Sequence, residues 1–315
     1  MRAYIRESEI TKAMHEIIIP YLECRRAIRT VTSTDGTALH TVHYEADNPR
    51  GTVIWLHGLC ENTEKYREQI FYCLREHLSV LIYDHRGHGK SGRSAPLGVI
   101  HVDRFEDYLT DFEAVYAAYE KSLTRPLYLF GHSMGGAVAA CALAQDSARF
   151  TRAILSAPML DLNYRGKDRA IVSLAAACRS LTRRKKPIIK NQRHSENRPM
   201  HETNYRSPAR FEIERALRLS DPLLASGSPS APWVRAALRV RREILAKGIP
   251  EHINIPILLL SAEKENRVSN EAHALFAARA PQVTHVILPD VHHEILFAED
   301  ERVFPVLDQI LDFLQ

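Results

Sequence analysis

The chain has 315 residues, of which 45% are hydrophobic and 25% charged, and its formal net charge is +4. This composition is typical of globular proteins and argues against the fibrous and disordered classes. Apolar runs such as "AIVSLAAAC" are too short to cross a bilayer, so we expect no transmembrane helix. The N-terminal residues "MRAYIRESEI" carry acidic groups where a secretory signal has its apolar region, which favours a cytoplasmic protein.

The sequence predicts an α/β fold. Strand-like and helix-like patterns alternate over the first half of the chain and again near its end. We predict buried strands at 52–57, 79–84, 127–131, 152–156, 255–262 and 283–289. We predict helices at 63–77, 104–121, 134–146, 231–247, 269–280 and 299–314. This order indicates a mostly parallel central sheet with helices on both faces.

The alternation is interrupted by residues 161–247, which read as helices without strands. We therefore predict a discontinuous core, 1–160 and 248–315, with an inserted and mainly helical cap at the carboxyl edge of the sheet. The insert holds 20 Lys and Arg against 8 Asp and Glu, a net charge of +12, and the rest of the chain has −8. The charge is therefore concentrated in the expected cap.

A serine lies between a predicted strand and a predicted helix, in "LYLFGHSMGGAVAACALA". Gly131-x-Ser133-x-Gly135 is the spacing of a tight strand-to-helix turn, in which small neighbours permit the strain and the serine hydroxyl is exposed. The helix that follows offers backbone N–H groups to an oxyanion. A lone GxSxG is a weak signal, but here the strand, the helix and Gly136 agree. We predict that Ser133 is a nucleophile.

The stretch "WLHGLCENTEKY" predicts the second half of an oxyanion site. A strand ends at His57-Gly58, so the N–H of Leu59 is placed to act beside that of Met134. His57 itself reads as a structural residue of the turn and not as a base. The alternative for the whole stretch is a simple turn between a strand and a helix.

The stretch "YDHRGHGKSGR" contains "GKS" but does not match a phosphate-binding loop. That loop requires a glycine five positions before Gly89, where Asp84 stands. We interpret the stretch as a turn in which Gly87 and Gly89 permit the bend. Asp84 and Arg86 are expected to bond locally.

A serine nucleophile needs a base, and the base needs a carboxylate that fixes its tautomer. In proteins that carry the serine on such a strand-to-helix turn, the chain order is serine, acid, histidine. The stretch "VILPDVHHEILF" offers His292 and His293 after the last predicted strand. Zinc binding by this pair is not expected, because neighbouring side chains diverge and the spacing suggests no third ligand. Between them and Ser133, "SAEKENRVSN" offers Glu263 and Glu265, and these residues alone leave the choice open.

Five cysteines are present without a CxxC pair, which suggests reduced thiols and neither a disulfide framework nor a zinc knuckle. They are Cys24, Cys60, Cys73, Cys141 and Cys178.

Together the motifs carry a resemblance to a known family. "HGLCENTEKY", "DHRGHGKSGR", "HVDRFEDYLTDFEAVY", "GHSMGG", "LSAPML", "LLLSAEKENRV" and "HHEILF" resemble the α/β-hydrolases of the lysophospholipase and monoacylglycerol lipase group, most closely its bacterial lysophospholipases. The resemblance runs from about residue 30 to the end and is weakest over 163–200. It implies an esterase that needs no cofactor.

The resemblance also assigns roles. Ser133 matches the family's nucleophile, Met134 and Leu59 its oxyanion donors, and His293 its base. The family's "GxxDxxV" pattern aligns Glu265 with the acid, so glutamate replaces the common aspartate. Glu263 stays as the alternative acid and Asp161, after "SAPML", as a displaced one. A second departure is Asp290, which stands where many relatives have glycine.

The expected function is release of a fatty acid from monoacyl lipids, lysophospholipids first and monoacylglycerols or simple esters second, through an acyl-enzyme. The alternatives are acyl transfer to an alcohol or amine and a non-catalytic binding protein. The basic insert, including "RRKK" at 183–186, is expected to contact anionic lipid at the inner face of the membrane. Nucleic-acid binding is not expected, because the insert has few aromatic residues and no known module.

Overall fold

The computed structural model describes residues 2–164, 169–182, 185–188, 199–225 and 227–315. The strands are β1 Arg26–Thr32, β2 Ala38–Tyr44, β3 Gly51–Leu56, β4 Leu78–Tyr83, β5 Val99–Ile100, β6 Leu127–His132, β7 Arg152–Ser156, β8 Ser228–Pro229, β9 Ile257–Lys264 and β10 Val283–His292. The helices are α1 Glu7–Ala13, α2 Ile19–Glu23, α3 Arg67–Arg75, α4 Glu106–Tyr119, α5 Met134–Asp146, α6 Arg169–Thr182, α7 Pro208–Ser220, α8 Ala231–Ile244, α9 Asn270–Ala277 and α10 Asp300–Phe313. Within these ranges, no helix combines the length and the apolar character that crossing a bilayer requires.

Eight strands form the central sheet, in the order β1-β2-β4-β3-β6-β7-β9-β10. The six strands from β4 to β10 in that order are parallel, and β1 and β2 form an antiparallel edge. The predicted mostly parallel α/β sheet is confirmed, and each of the six predicted strands is present with shifts of a few residues at its ends. β1 and β2 were not predicted individually.

The central strands are apolar because helices cover both faces of the sheet. Every residue of β3, β4 and β6 is buried. Between β3 and β6, the rings of Trp55 and Phe130 stack with their centroids 3.7 Å apart. Because β3 and β6 are parallel neighbours, the loops after Leu56 and His132 emerge side by side at the carboxyl edge.

Between β7 and β9 the chain forms α6, α7 and α8, and the residues described there add no strand to the central sheet. β8 pairs with β5 in a separate two-stranded ladder. Ser230 caps α8, and Trp233 Nε1 donates to Tyr108 Oη at 3.1 Å, which fixes α8 against α4. Arg183 and Arg184 of the predicted "RRKK" run lie outside the described residues.

The segment also contacts the core through α7. Arg210 donates to both carboxylate oxygens of Glu68, at 2.8 and 2.9 Å, and to Asp300 Oδ1 at 3.1 Å. All three side chains are at most 10% exposed, so this is a buried ion cluster that joins α7 to α3 and α10.

Candidate active site

Ser133 lies in the sharp turn between β6 and α5, with φ 51° and ψ −116°. Such positive φ is costly for a residue with a side chain and is typical of a strained, functional turn. The two glycines of the motif permit this turn because the neighbouring backbone lies too close for a side chain at either position. A Cβ on Gly135 would lie 2.2 Å from the Leu56 carbonyl oxygen, and one on Gly131 would lie 2.6 Å from that of Gly135. The GxSxG spacing therefore follows from the packing of α5 on β3.

His293 follows β10 and lies between Ser133 and Glu265. Its Nε2 is 2.9 Å from Ser133 Oγ, and its Nδ1 is 2.7 Å from Glu265 Oε2. The hydroxyl thus donates to Nε2 while Nδ1–H donates to the carboxylate. The side chains of His293 and Glu265 are 7% and 2% exposed, so this hydrogen-bonded chain is screened from water.

Glu265 is held as a carboxylate. Its second oxygen, Oε1, accepts the backbone N–H groups of Asn266, Arg267 and Val268 at 2.8, 2.7 and 3.3 Å. Burial alone raises the pKa of this carboxyl, but His293 and the backbone N–H groups outweigh it and lower the pKa to about 2. Glu265 is therefore charged throughout the neutral range.

The other candidate acids bond elsewhere. Glu263 is exposed, and its Oε2 accepts the N–H of Asp290 at 2.9 Å. Asp161 accepts from Tyr164 Oη at 2.7 Å and Arg241 Nη1 at 3.1 Å. Asp290 has φ 57°, the left-handed conformation that favours glycine and that aspartate tolerates. Glycine, which the resemblance to the family leads us to expect at this position, would adopt the same conformation without strain.

His57 is fully buried and both its ring nitrogens are used. Nδ1–H donates to the Gly58 carbonyl at 2.8 Å, and Nε2 accepts the N–H of His85 at 3.0 Å. Burial lowers its pKa, so the ring is neutral. These bonds fit the structural role that the sequence indicates.

The turn after β4 is organised by Asp84. Its carboxylate accepts the N–H groups of Thr63 at 2.7 Å and Lys90 at 2.8 Å, and a Cβ on Gly89 would overlap it. The expectation that Arg86 also bonds locally is wrong. Arg86 bonds both oxygens of the buried Asp111 on α4, because a buried carboxylate requires a charged partner.

The predicted oxyanion donors emerge from neighbouring strands. Met134 opens α5, where an N–H has no acceptor one turn earlier in the helix. Leu59 follows β3 in a turn held by Glu61, whose Oε2 accepts the N–H of Gly58 at 2.6 Å. β3 and β6 are adjacent and parallel, so both N–H groups lie at the edge of the sheet that carries Ser133.

A buried ion cluster beside this site was not predicted. Lys65 Nζ is 2.7 Å from both Glu61 Oε1 and Glu294 Oε2. Glu61, His132 and Glu294 bring one potential ligand atom each within 4.8 Å of one another. The Lys65 ammonium bonds Glu61 and Glu294, so a side chain of the protein provides the positive charge between these two carboxylates. In the sequence, the signals of this cluster are Glu61 and Lys65, which lie four residues apart in "ENTEK", and Glu294, which directly follows His293.

The segment between β7 and β9 reaches the loop that carries the histidines. The N–H groups of Arg206 and Ser207 donate to the Phe297 carbonyl at 3.3 and 3.2 Å. Arg206 Nη2 lies 3.1 Å from Nδ1 of His292. His292 therefore points to this segment, and His293 points to Ser133.

Comparison with known proteins identifies relatives along most of the chain. A family model, Hydrolase_4, described as serine aminopeptidase, S33, matches residues 47–301. The chain is 30% identical to lysophospholipase L2 of Escherichia coli strain K12 over 304 residues, which is 90% of this chain and 85% of that protein. It is 23% identical to a monoacylglycerol lipase of Mycolicibacterium smegmatis, over 85% of this chain and 89% of the relative. These matches bear out the resemblance that the motifs indicate.

Solved structures confirm the α/β-hydrolase fold. The monoacylglycerol lipase of Paleococcus ferrophilus superposes with a TM-score of 0.68 at 20% identity, covering 88% of this chain and 98% of that chain. A carboxyl esterase of Bacillus coagulans superposes with a TM-score of 0.69 at 18% identity, covering 92% and 98%. At this identity the similarity concerns the fold alone.

Proposed function

Because the chain belongs to the serine aminopeptidase S33 family of α/β-hydrolases, we propose that it is a serine ester hydrolase that acts through Ser133, His293 and Glu265. The observation that carries the proposal is the unbroken chain of hydrogen bonds from Ser133 Oγ through the His293 ring to Glu265. A nucleophile bonded to a base, which is in turn oriented by a carboxylate, is the arrangement that nucleophilic catalysis requires.

In the acylation step, Ser133 Oγ attacks the ester carbonyl carbon while His293 Nε2 takes the hydroxyl proton. Glu265 stabilises the imidazolium that forms and holds Nδ1 protonated. The N–H groups of Leu59 and Met134 stabilise the negative oxygen of the tetrahedral intermediate. His293 then gives its proton to the leaving alcohol, and the acyl group remains on Ser133.

In the deacylation step, water replaces the alcohol. His293 removes a proton from the water as the water oxygen attacks the acyl carbonyl carbon. The bond from that carbon to Ser133 Oγ then breaks, Ser133 Oγ takes the proton back from His293, and the fatty acid is released. The same base therefore works twice, once on the serine hydroxyl and once on the water. None of these steps uses a group from outside the chain other than the substrate and water.

The substrate class is proposed from the relatives and from the segment over the site. Relatives over most of the chain are named lysophospholipase and monoacylglycerol lipase, which favours monoacyl lipids. We take residues 161–247 as the cap. Among those that the structure describes, Arg206 and Ser207 bond to the loop that follows His293, and the carboxyl edge is where α/β sheets bind ligands. We place lysophospholipids first, followed by monoacylglycerols and simple carboxylic esters.

A hydrolysis panel tests the proposal. Wild-type protein and Ser133→Ala are given lysophosphatidyl lipids, monoacylglycerols, short p-nitrophenyl esters and an amino-acid p-nitroanilide. We expect hydrolysis of the esters, the highest kcat/KM on a monoacyl lipid, and a loss of about 10³-fold or more in Ser133→Ala. Cleavage of the anilide alone would assign a peptidase. Product analysis in the presence of an added alcohol distinguishes hydrolysis from acyl transfer. Absence of fluorophosphonate labelling would indicate a non-catalytic protein.

The cap also supports contact with an anionic lipid surface. Helix α6 exposes Leu174 by 66% and Leu181 by 81%, and Arg179 is exposed on the same helix. Lys185 and Lys186 are exposed just after it. Apolar side chains beside basic ones are characteristic of helices that lie in a bilayer interface.

Vesicle sedimentation tests this contact. We expect binding to vesicles with anionic lipid, loss of binding at high salt, and weaker binding of Leu174→Gln/Leu181→Gln. Ile287→Gln is the control, because Ile287 is 58% exposed on β10, outside the cap. Equal binding of the double variant and the control would contradict the docking of α6.

A further inference from the structure

A buried ion cluster lies next to the proposed triad, and no step of the proposed reaction uses it. The side chains of Lys65, Glu61 and Glu294 are 1%, 4% and 15% exposed. Burying charges removes their hydration, and the attraction within such pairs often only offsets this loss. Stability alone therefore does not explain the cluster. Its position beside the proposed triad points to a role in the reaction.

The cluster joins the loop of the oxyanion donor to the loop of the base. Glu61 uses one oxygen for the N–H of Gly58 and the hydroxyl of Tyr66, both at 2.6 Å, and the other for Lys65. Gly58 directly precedes Leu59, and Glu294 directly follows His293. The Lys65 ammonium thus bridges the two loops through the carboxylates of Glu61 and Glu294.

The cluster also sets the charge beside His293. The ring of His132 lies 5.0 Å from that of His293, centroid to centroid, and its Nε2 is 3.6 Å from Glu61 and 3.9 Å from Glu294. Burial lowers the pKa of His132, so this ring is neutral and does not balance the carboxylates. The charge that offsets one of these two carboxylates is that of Lys65, whose pKa is raised by both glutamates despite burial.

We propose that Lys65 is a positioning residue for the proposed ester hydrolysis. Through Glu61 it fixes the turn that presents the Leu59 N–H to the oxyanion. By offsetting one of the two glutamate charges it limits the negative charge beside the His293 ring. This inference rests on the proposed function and adds to it a residue that touches neither substrate nor Ser133.

The groups that face His293 define the test. They are Ser133 and His132 from β6 and its turn, Glu265 after β9, His273 on α9, Glu294 and His292 beside it, and Glu61 with Lys65 behind His132. Burial lowers the pKa of His273 to about 4, and Glu265 is ionised above about 2, so neither titrates near neutrality. Removing the Lys65 charge changes the net charge of Glu61, Glu294 and Lys65 from −1 to −2, and added negative charge near an imidazole favours its protonated form.

The experiment measures the rate at which a fluorophosphonate labels Ser133, as a function of pH. In Lys65→Met we expect the acidic limb of the profile to move up by about one pH unit and the plateau rate to fall by about tenfold or more. Lys65→Arg keeps the charge and should keep the limb. Lys90→Met is the matched control, because Lys90 is 38% exposed and its ammonium pairs with Glu64 at 4.0 Å.

A charge-balanced variant separates the two effects. Lys65→Met/Glu294→Gln removes one charge of each sign, so the limb should return toward the wild-type pH while the plateau stays low. Glu294→Gln alone should move the limb to lower pH, and it keeps the test available if Lys65→Met does not fold. An unmoved limb in the folded variants would overturn the inference. The labelling readout requires no substrate, so failure of the ester panel is recognised separately.

Discussion

Replacing Glu265 by glutamine tests the acid of the proposed triad most directly. The change removes the charge 2.7 Å from His293 Nδ1 and keeps the size of the side chain. Unit charges about 4 Å apart interact by about 4 kcal/mol at the effective dielectric of a protein site. Losing this stabilisation of the imidazolium corresponds to about 10³-fold in kcat/KM. We expect Glu265→Gln to lose that much and Glu265→Asp, which keeps the charge, to lose less.

The matched control is Glu263→Gln. Glu263 is exposed and accepts the N–H of Asp290, and a glutamine carbonyl can accept the same bond. Its kcat/KM should stay within about threefold of wild type. The assay is hydrolysis of a p-nitrophenyl ester, with thermal unfolding to verify the fold. A greater loss in Glu263→Gln than in Glu265→Gln would reverse the assignment of the acid.

Three further outcomes are expected. Gly135→Ala should lower Tm and activity, with about 1–3 kcal/mol of strain, because its Cβ would meet the Leu56 and His57 carbonyl oxygens at 2.2 and 2.5 Å. Arg210→Met should destabilise the fold by about 3–5 kcal/mol in urea unfolding, because Glu68 and Asp300 stay buried without their cation, whereas Arg215→Met on the exposed side of α7 should change little. Acid should weaken the fold. Burial lowers the pKa of His88 to about 3, whereas a histidine in the unfolded chain has a pKa of about 6.5. Between these two values the unfolded chain binds one more proton than the folded chain, so the free energy of unfolding falls by about 1.4 kcal/mol for each unit by which the pH is lowered. Urea unfolding from pH 7 to 4.5 measures this slope, and an equal slope in His88→Gln would refute the assignment.

The sequence predicts the centre of the sheet better than its edge for a physical reason. β3, β4 and β6 are covered on both faces, so they appear as continuous apolar runs. β1, "RAIRTVT", is mostly exposed and offers no such run. The N-terminal helices were also missed, because "AMHEIIIPYL" is interrupted by charge and reads as neither a helix nor a strand.

In the candidate site, too, some residues can be predicted from the sequence and others cannot. Ser133 and the pair His292 and His293 are marked by their positions relative to strands, and the resemblance to the family selects His293 from the pair. The turn after β9 offers two glutamates as the acid. Which glutamate faces His293 depends on the path of that turn, and the sequence reaches Glu265 only through the pattern of the family. Partners distant in sequence were not visible: Arg86 bonds Asp111, 25 residues away, and Lys65 bonds Glu294, 229 residues away.

The described residues of the proposed cap include a part bonded to the core and a part exposed to solvent. The buried cluster of Arg210 with Glu68 and Asp300 ties α7 to the core, and the bonds from Arg206 and Ser207 tie the preceding residues to the loop of His293. Helix α6 instead exposes Leu174 and Leu181 to solvent. A lipid surface that covers α6 can therefore be contacted without displacing the residues that pack beside the base. Substitutions on α6 should change binding to vesicles and leave hydrolysis of a water-soluble ester unchanged.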